Sequence, residues 1–171
     1  GLESLKEQYG DKFYYVVGDV TDKTVVGKLV NDAVARHGKI DSVVANAGVL
    51  SPVQSITDID VDAWKALFEV NFFSVLTLTS LALPYLAKAK GNLILVSSCA
   101  STDWFSGWGA YGSSKAALNY LALTVAHEGD GVRAISVAPG IVDTQMQNDI
   151  REKLGPAGMS LQTLKKFEEL K

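Results

Sequence analysis

The sequence predicts an α/β fold in which helices cover both faces of a parallel sheet. Apolar runs of strand length alternate along the 171 residues with segments whose apolar positions recur at helical spacing. The strand-like runs are nearly continuous in Val, Ile and Leu, which is typical of strands buried on both sides. A composition of 47% hydrophobic and 20% charged residues fits a single globular domain over residues 1–171.

Four apolar segments are predicted to contain the strands. They are residues 12–20 (KFYYVVGDV), 39–48 (KIDSVVANAG), 92–98 (NLILVSS) and 132–140 (VRAISVAPG). Each ends in small or polar residues: GDV, NAG, SS and PG. Open parallel sheets bind ligands at the carboxyl ends of their strands, so these endings together predict a site. Any one of them alone could simply turn the chain.

Helical periodicity and charge pattern predict the helices. These cover residues 2–10, 21–38, 60–91, 109–128 and 161–171. Thr21 or Asp22 can cap the second helix, and Gly38 can end it. Pro84 is expected to bend or end the third, because proline lacks an N–H group and clashes with the preceding turn.

Charge and residue usage exclude several kinds of site. The formal net charge of −3 gives no electrostatic reason to bind nucleic acid or an anionic membrane. The single cysteine, Cys99, excludes an intrachain disulfide framework and suits a reducing compartment, so a cytoplasmic location is expected. His37 and His127 lie far apart and offer no metal cluster with Cys99, so no metal is expected. No apolar run is expected to reach the length of a membrane span.

Tyr111 and Lys115 are the pair that most strongly suggests chemistry. Residues four apart share one face of a helix, and the glycines and serines around them leave room beside both side chains. A Tyr-x-x-x-Lys motif alone is a weak signal. Its context is more specific: Ser98 ends the preceding predicted strand thirteen positions before Tyr111, and Asn71 lies in the helix before that strand.

These motifs, in this order, resemble the classical short-chain dehydrogenases/reductases. The matching elements are GDV, NAG, the asparagine of FEVNFFS, VSS, YGSSK and APGIVDT, and they extend to about Thr144. Sugar-nucleotide epimerases also carry Tyr-x-x-x-Lys but lack this NAG. A narrower likeness, to fungal benzil reductases similar to sepiapterin reductase, is carried by VANAGVLSPVQ, WGAYGSSKAALN and VAPGIVDTQMQ. The resemblance implies a Rossmann-like doubly wound sheet and an NAD(P)-dependent oxidoreductase.

The resemblance also implies catalytic roles. Tyr111 would be the general acid, and Lys115 would lower the pKa of its phenol and bind the nicotinamide ribose. Ser98, selected over Ser97 by its offset from Tyr111, would donate a hydrogen bond to the carbonyl oxygen. The backbone of Asn71 would help to hold a water near the lysine, although an ordinary mid-helix polar residue is equally consistent with the sequence.

The cofactor contacts follow by the same resemblance. Asp19 would accept a hydrogen bond from the adenine amino group, and Val20 would pack against the ring. The other expected contacts are Asn46, Ala47, Gly48, Tyr111, Lys115, Pro139, Gly140, Ile141, Val142 and Thr144. The narrower likeness favours NADP, and NAD stays open.

Three aromatic residues indicate the substrate. Trp104, Phe105 and Trp108 lie where the family lines its substrate pocket, and they favour a flat, hydrophobic carbonyl compound. The alternative is packing against another subunit, since the family forms homodimers and homotetramers. The residues after Met146 fall where the family has a mobile segment that covers the substrate.

The chain departs from the family at its start. No G-x-x-x-G-x-G turn, which would bind the pyrophosphate at a helix N-terminus, occurs in the sequence. The first βαβ unit and the last strand are also expected to be missing, so residues 1–171 are interpreted as the interior of a longer chain. In the family's strand order, two missing strands would separate residues 12–20 from the strand in 39–48.

Two classes of function are compatible with these features. The favoured one is an NADPH-dependent reductase of a ketone or diketone, aromatic and benzil-like. The alternative is a Rossmann-like dinucleotide-binding or regulatory protein without turnover. Among enzymes, fatty-acyl or sugar-alcohol substrates are the competing possibility.

Overall fold

The computed structural model describes residues 1–154 and Lys165. The helices are α1 (Leu2–Tyr9), α2 (Lys23–His37), α3 (Val61–Phe68), α4 (Ser74–Ala89), α5 (Gly109–Glu128) and α6 (Gln145–Asp149). The strands are β1 (Ser42–Ala45), β2 (Asn92–Val96) and β3 (Arg133–Val137). The helix predicted over 161–171 lies outside the described residues, apart from Lys165.

The three strands form one parallel sheet in the order β1-β2-β3. Val44, Ile94 and Ile135 are aligned across it. The predicted α/β class with a parallel sheet is therefore confirmed, and three of the four predicted strands form. Their carboxyl ends meet at one edge of the sheet.

The strand predicted over residues 12–20 is wrong. Phe13 has extended backbone angles, φ −122° and ψ 127°. A strand also needs a hydrogen-bonded neighbour, and among the described residues β1 pairs only with β2. The segment packs on α2 instead: the Tyr14 hydroxyl hydrogen-bonds to Asp32, and the Arg36 guanidinium lies 4.0 Å from the centre of the Tyr14 ring.

The hydrophobic core lies between the sheet and the helices α2, α4 and α5. Leu93 and Leu95 of β2 are fully buried in it. On the opposite face, Val44 and Ile135 are each 57% exposed. The connections from β1 to β2 and from β2 to β3 advance across the sheet in the same direction, so right-handed crossovers place their helices on one face.

Local sequence signals fix the ends of α2. The Asp22 carboxylate accepts a hydrogen bond from the Thr24 N–H at 2.8 Å, so Asp22 rather than Thr21 is the cap. At the other end Gly38 has φ 71°, the left-handed conformation that ends many helices, and its N–H bonds the Val34 carbonyl.

The long helix over Val61–Ala89 changes its geometry at a place the sequence does not predict. It forms a π-helical turn at Glu69–Phe73 and continues through Pro84 to Ala89. Of the two outcomes expected at Pro84, a bend or an end of the helix, the end is therefore wrong. Proline removes one helical hydrogen bond, but Ala82 and Leu86 on either side are fully buried and hold the helix against the core.

Among the described residues, Val61–Ala89 is also long and apolar enough to cross a membrane by length and composition. The expectation that no segment reaches that length is wrong. Val75, Ala82 and Leu86 of this helix belong to the hydrophobic core. A helix in the core of a globular protein can pass the same test of length and composition.

Replacing Leu86 with alanine tests the assignment of the core. Leu86 is fully buried, so Leu86→Ala should lower the free energy of unfolding by about 2–5 kcal/mol. Leu76→Ala on the same helix is the matched control, because Leu76 is exposed and its loss should cost much less. Urea denaturation followed by circular dichroism measures both, and equal losses would contradict the assignment.

Candidate active site

A cavity of about 910 Å³ opens at the carboxyl edge of the sheet. The segments after β1, β2 and β3 and the first turns of α5 supply its walls. Its lining includes Asn46, Gly48, Ser98, Cys99, Phe105, Trp108, Tyr111, Lys115, Pro139, Gly140, Ile141, Val142 and Thr144. The structure therefore brings most of the residues expected from the sequence to one place.

Tyr111 and Ser98 meet inside this cavity. Tyr111 lies in the first turn of α5 and is only 8% exposed. Burial raises the pKa of its phenol above the ordinary value, and a hydrogen bond with the Ser98 side chain acts in the opposite direction. Ser98 caps the short helical turn Cys99–Ser101, where its hydroxyl accepts from the Ala100 N–H at 3.2 Å. That turn fixes Ser98 beside the phenol.

Lys115 lies one turn further along α5. Its ammonium donates a hydrogen bond of 2.8 Å to the Val96 carbonyl at the end of β2. The Nζ atom is 5.5 Å from the centre of the Tyr111 ring. Burial lowers the pKa of Lys115 to about 8, because the charged ammonium loses solvation.

The pKa of Tyr111 differs from the sequence-based expectation. An adjacent ammonium was expected to lower it, but the pKa is raised by burial. The Lys115 ammonium is directed at the Val96 carbonyl rather than at the phenol oxygen. Desolvation of the phenolate is therefore the largest influence on the pKa of Tyr111, and it exceeds the opposing effect of the Ser98 hydrogen bond.

The neighbouring serines, Ser97 and Ser98, have different surroundings. The Ser97 hydroxyl is buried and donates to the backbone carbonyl of Lys115 at 3.2 Å. Ser97 thus ties the end of β2 to α5, whereas Ser98 contacts Tyr111.

Asn71 lies in the π-helical turn and is completely buried. Its side-chain oxygen accepts from the Val49 N–H, and its amide nitrogen donates to the Val49 carbonyl, both at 2.8 Å. The same nitrogen lies 3.2 Å from the Ser114 hydroxyl. The expected role used the Asn71 backbone, whereas the side chain fastens the segment after β1 to α5.

Gly48 lies directly against these groups. A Cβ atom at this position would be 3.3 Å from the Lys115 Nζ atom and 3.5 Å from the Asn71 side-chain oxygen. The first of these contacts is tight and the second is an ordinary van der Waals contact, so a side chain at position 48 would press on the Lys115 ammonium.

Several expected residues lie elsewhere. Asp19 is exposed, and the Thr21 N–H and hydroxyl hydrogen-bond its carboxylate and hold its pKa below the ordinary value. Val20 and Ala47 do not line the cavity either. Trp104 is 83% exposed and borders a second cavity of about 550 Å³, so the geometry does not support its expected place in the substrate pocket.

The other two aromatic residues do line the first cavity. The rings of Phe105 and Trp108 are stacked with centres 4.9 Å apart. Trp108 also meets the Tyr111 ring edge-on, with centres 5.6 Å apart. They form a flat apolar wall beside the phenol.

Seven residues that line the cavity were not predicted from the sequence: Val96, Ser97, Cys99, Gln145, Met146, Gln147 and Ile150. Met146, Gln147 and Ile150 follow the APGIVDT motif and complete the cavity. Their helical spacing after Thr144 was the available signal, but residues beyond Met146 were interpreted only as a covering segment. The part of that segment at 155–164 and 166–171 lies outside the described residues.

Comparison with known proteins assigns the family. The family model described as short chain dehydrogenase matches residues 1–155. The chain belongs to the short-chain dehydrogenase family. Its fold is accordingly the Rossmann-like α/β fold, and its members are oxidoreductases that use NAD(P).

Three relatives illustrate the match. YIR035C of Saccharomyces cerevisiae, an uncharacterized oxidoreductase, is 60% identical over 99% of this chain and 67% of its own length, and its crystal structure superposes with a TM-score of 0.97. The benzil reductase ((S)-benzoin forming) IRC24 of the same yeast is 50% identical over 99% of this chain and 68% of its own. An alcohol dehydrogenase from Thermococcus sibiricus, solved with 5-hydroxy-NADP, is 28% identical with a TM-score of 0.75, and the match covers 84% of this chain and 60% of that one. The chain thus spans about two thirds of the length of its yeast relatives.

The pKa of Lys115 predicts a pH-dependent stability. Below about pH 8 both the folded and unfolded chains carry the proton, and folding bears the full cost of burying the charge. Between about 8 and the ordinary value of 10.5, the folded chain releases a proton that the unfolded chain keeps, so rising pH favours folding. We compare the free energy of unfolding of the wild type with that of Lys115→Met, both without cofactor. The wild-type value minus the variant value should rise by roughly 3 kcal/mol as the pH increases across this window. Urea titrations at several pH values measure that difference, and a flat difference would contradict the shifted pKa.

Proposed function

We propose that this protein is an NADPH-dependent reductase of ketones and diketones, with aromatic, benzil-like compounds as its preferred class. The observation that carries the proposal is the meeting of Ser98 and Tyr111, with Lys115 one turn away, in a cavity walled by Phe105 and Trp108. The likeness to a yeast benzil reductase, 50% identical, supports the substrate class.

The residues around the cavity fit a nicotinamide cofactor. Gly48 leaves space beside Lys115 that a Cβ atom would restrict. We propose that Asn46, Gly48, Lys115 and the segment 139–144 hold the nicotinamide half, where the cofactor would supply a hydride to the carbonyl carbon. Asp19, Val20 and Ala47 stay predictions for the rest of the cofactor. The preference for NADP is supported by the Thermococcus sibiricus enzyme solved with 5-hydroxy-NADP.

Tyr111 is the proposed proton donor. Burial raises the pKa of its phenol, so the side chain keeps its proton at neutral pH, as a donor in the direction of reduction must. The Ser98 hydroxyl lies beside it and would donate to the same carbonyl oxygen, where negative charge develops. Lys115 would bind the ribose and add positive charge near that oxygen, a role assigned by family resemblance.

The apolar wall suits a flat substrate. Stacked rings of Phe105 and Trp108 offer an aromatic surface next to Tyr111. This arrangement favours an aryl ketone or diketone over a sugar alcohol, whose hydroxyls would find few partners there. A cytoplasmic location and assembly into a homodimer or homotetramer stay predictions.

Removing the phenolic hydroxyl tests the proton donor. In the full natural chain, Tyr111→Phe should lower kcat for benzil reduction by about 100- to 10,000-fold while NADPH binding persists. Tyr120→Phe is the matched control, because Tyr120 lies on the same helix and is 73% exposed. The loss of NADPH absorbance during the reaction measures turnover. Full activity in Tyr111→Phe would refute the assignment.

The two adjacent serines offer a second test. Ser98→Ala should lower kcat/KM by about 100-fold, since one donor to the developing negative charge is lost. Ser97→Ala removes a bond to the Lys115 carbonyl and should reduce stability by about 1 kcal/mol, with a much smaller effect on turnover. Steady-state kinetics and thermal unfolding of both variants decide the roles. The reverse pattern would assign the substrate contact to Ser97.

A further inference from the structure

Asn119 lies on the same face of α5 as two residues of the candidate site. It follows Tyr111 by eight positions and Lys115 by four, and residues at this spacing share one face of a helix. Its side-chain nitrogen donates a hydrogen bond of 2.9 Å to the Ser101 hydroxyl. That hydroxyl donates in turn to the Ser98 carbonyl at 2.6 Å. A chain of two hydrogen bonds therefore joins α5 to the backbone of Ser98.

The groups that form this chain also fix its direction. The Ser101 hydroxyl has a single hydrogen, and the Asn119 N–H occupies a lone pair on its oxygen, so the hydrogen points at the Ser98 carbonyl. Each hydrogen bond polarises the next one, which strengthens a chain that runs in one direction. Asn119 thus supports the hydroxyl that holds the Ser98 backbone.

Ser98 is consequently held from α5 through both its backbone and its side chain. Its carbonyl accepts from Ser101, whereas its own hydroxyl shares a hydrogen bond with the Tyr111 phenol. The turn Cys99–Ser101 also packs closely on the helix, because a Cβ atom at Gly112 would lie 2.7 Å from a backbone oxygen of that turn. A shift of the turn would therefore move the Ser98 hydroxyl relative to the phenol.

We propose that Asn119 and Ser101 are positioning residues that hold the Ser98 hydroxyl where the carbonyl oxygen of the substrate binds. The inference rests on the proposed function. Ser98 would contact the substrate directly, and Asn119 would act only through Ser98. A hydrogen bond to a developing negative charge requires a narrow range of geometry. Loosening the turn should therefore slow the reaction even though the Ser98 hydroxyl is still present.

A double-mutant cycle in the full natural chain tests whether Asn119 acts through Ser98. With benzil and NADPH, Asn119→Leu should lower kcat about tenfold, because the Ser98 hydroxyl is less well placed. In a Ser98→Ala background the same change should lower kcat by less than about twofold, since no hydroxyl is left to position. The Kd of NADPH should stay within about twofold of the wild-type value in each protein.

Asn31→Leu is the matched control, because Asn31 is exposed on α2 and lies outside the candidate site. This variant should keep the wild-type kcat. An equal loss of kcat from Asn119→Leu in both backgrounds, or no loss in either, would overturn the inference.

Asn119→Asp tests the direction of the chain with a side chain of nearly the same shape. A carboxylate only accepts hydrogen bonds, so it would draw the Ser101 hydroxyl hydrogen away from the Ser98 carbonyl. We expect kcat to fall at least as far as in Asn119→Leu. A wild-type kcat in Asn119→Asp would mean that only the shape of the side chain matters, against the inference. Thermal unfolding checks that each variant folds, and Ser101→Ala, which removes the same link, decides the question if neither Asn119 variant folds.

Titration of the Tyr111 phenol separates this inference from the proposed function, because it requires no turnover. The hydrogen bond with Ser98 opposes the rise in the phenol pKa that burial causes. If Asn119 positions Ser98, Asn119→Leu should raise the Tyr111 pKa further and should add no rise in the Ser98→Ala background. Nuclear magnetic resonance of isotope-labelled tyrosine measures this pKa, and Tyr111→Phe assigns the signal. A wild type that reduces no ketone would refute the proposed function, whereas an unchanged Tyr111 pKa in Asn119→Leu would refute the positioning role.

Discussion

The hydrogen bond between the Lys115 ammonium and the Val96 carbonyl joins the helix of the candidate site to the end of the central strand. The Ser97 hydroxyl bonds the Lys115 carbonyl nearby, so two contacts fix the same turn of α5. Asn71 adds a third connection by holding Val49, after β1, close to Ser114. These bonds are buried or partly buried, where a missing partner would be costly. The position of Tyr111 therefore depends on polar contacts beneath the cavity as much as on the helix that carries it.

Burial affects the two titratable groups of the site in ways that suit reduction. It raises the pKa of Tyr111 and lowers that of Lys115 to about 8, because a dry environment disfavours both charged forms. The phenol consequently keeps its proton at neutral pH, as the proposed donor must. The hydrogen bond with Ser98 opposes the shift and connects the donor to a second group that can bind the same oxygen. The proposed proton donor and the proposed oxygen-binding group are thus one pair of neighbouring hydroxyls.

Sequence reasoning succeeded where the signal is local and failed where it depends on distant parts of the chain. The helix over 109–128 and the end of α2 at Gly38 follow from periodicity and one left-handed glycine. The segment 12–20 has strand composition, but strand formation requires a paired neighbour, which composition does not reveal. The helix does not end at Pro84, because packing on both sides compensates for one lost bond. Gln147 was missed because its burial arises only when α6 folds over the cavity.

The aromatic residues near the cavity show why substrate specificity is hard to predict from sequence, since their positions depend on distant parts of the chain. Trp104 and Trp108 are four apart, the spacing that places Tyr111 and Lys115 together, yet only Trp108 lines the cavity of Tyr111; both border the second cavity. Helical spacing does not apply before Gly109, where α5 begins. Trp108 instead packs with Leu50 and Leu67 in a core cluster that also contains Tyr111. The wall of the cavity is therefore part of the folded core, and a change in Trp108 that alters substrate preference must also change packing around Tyr111.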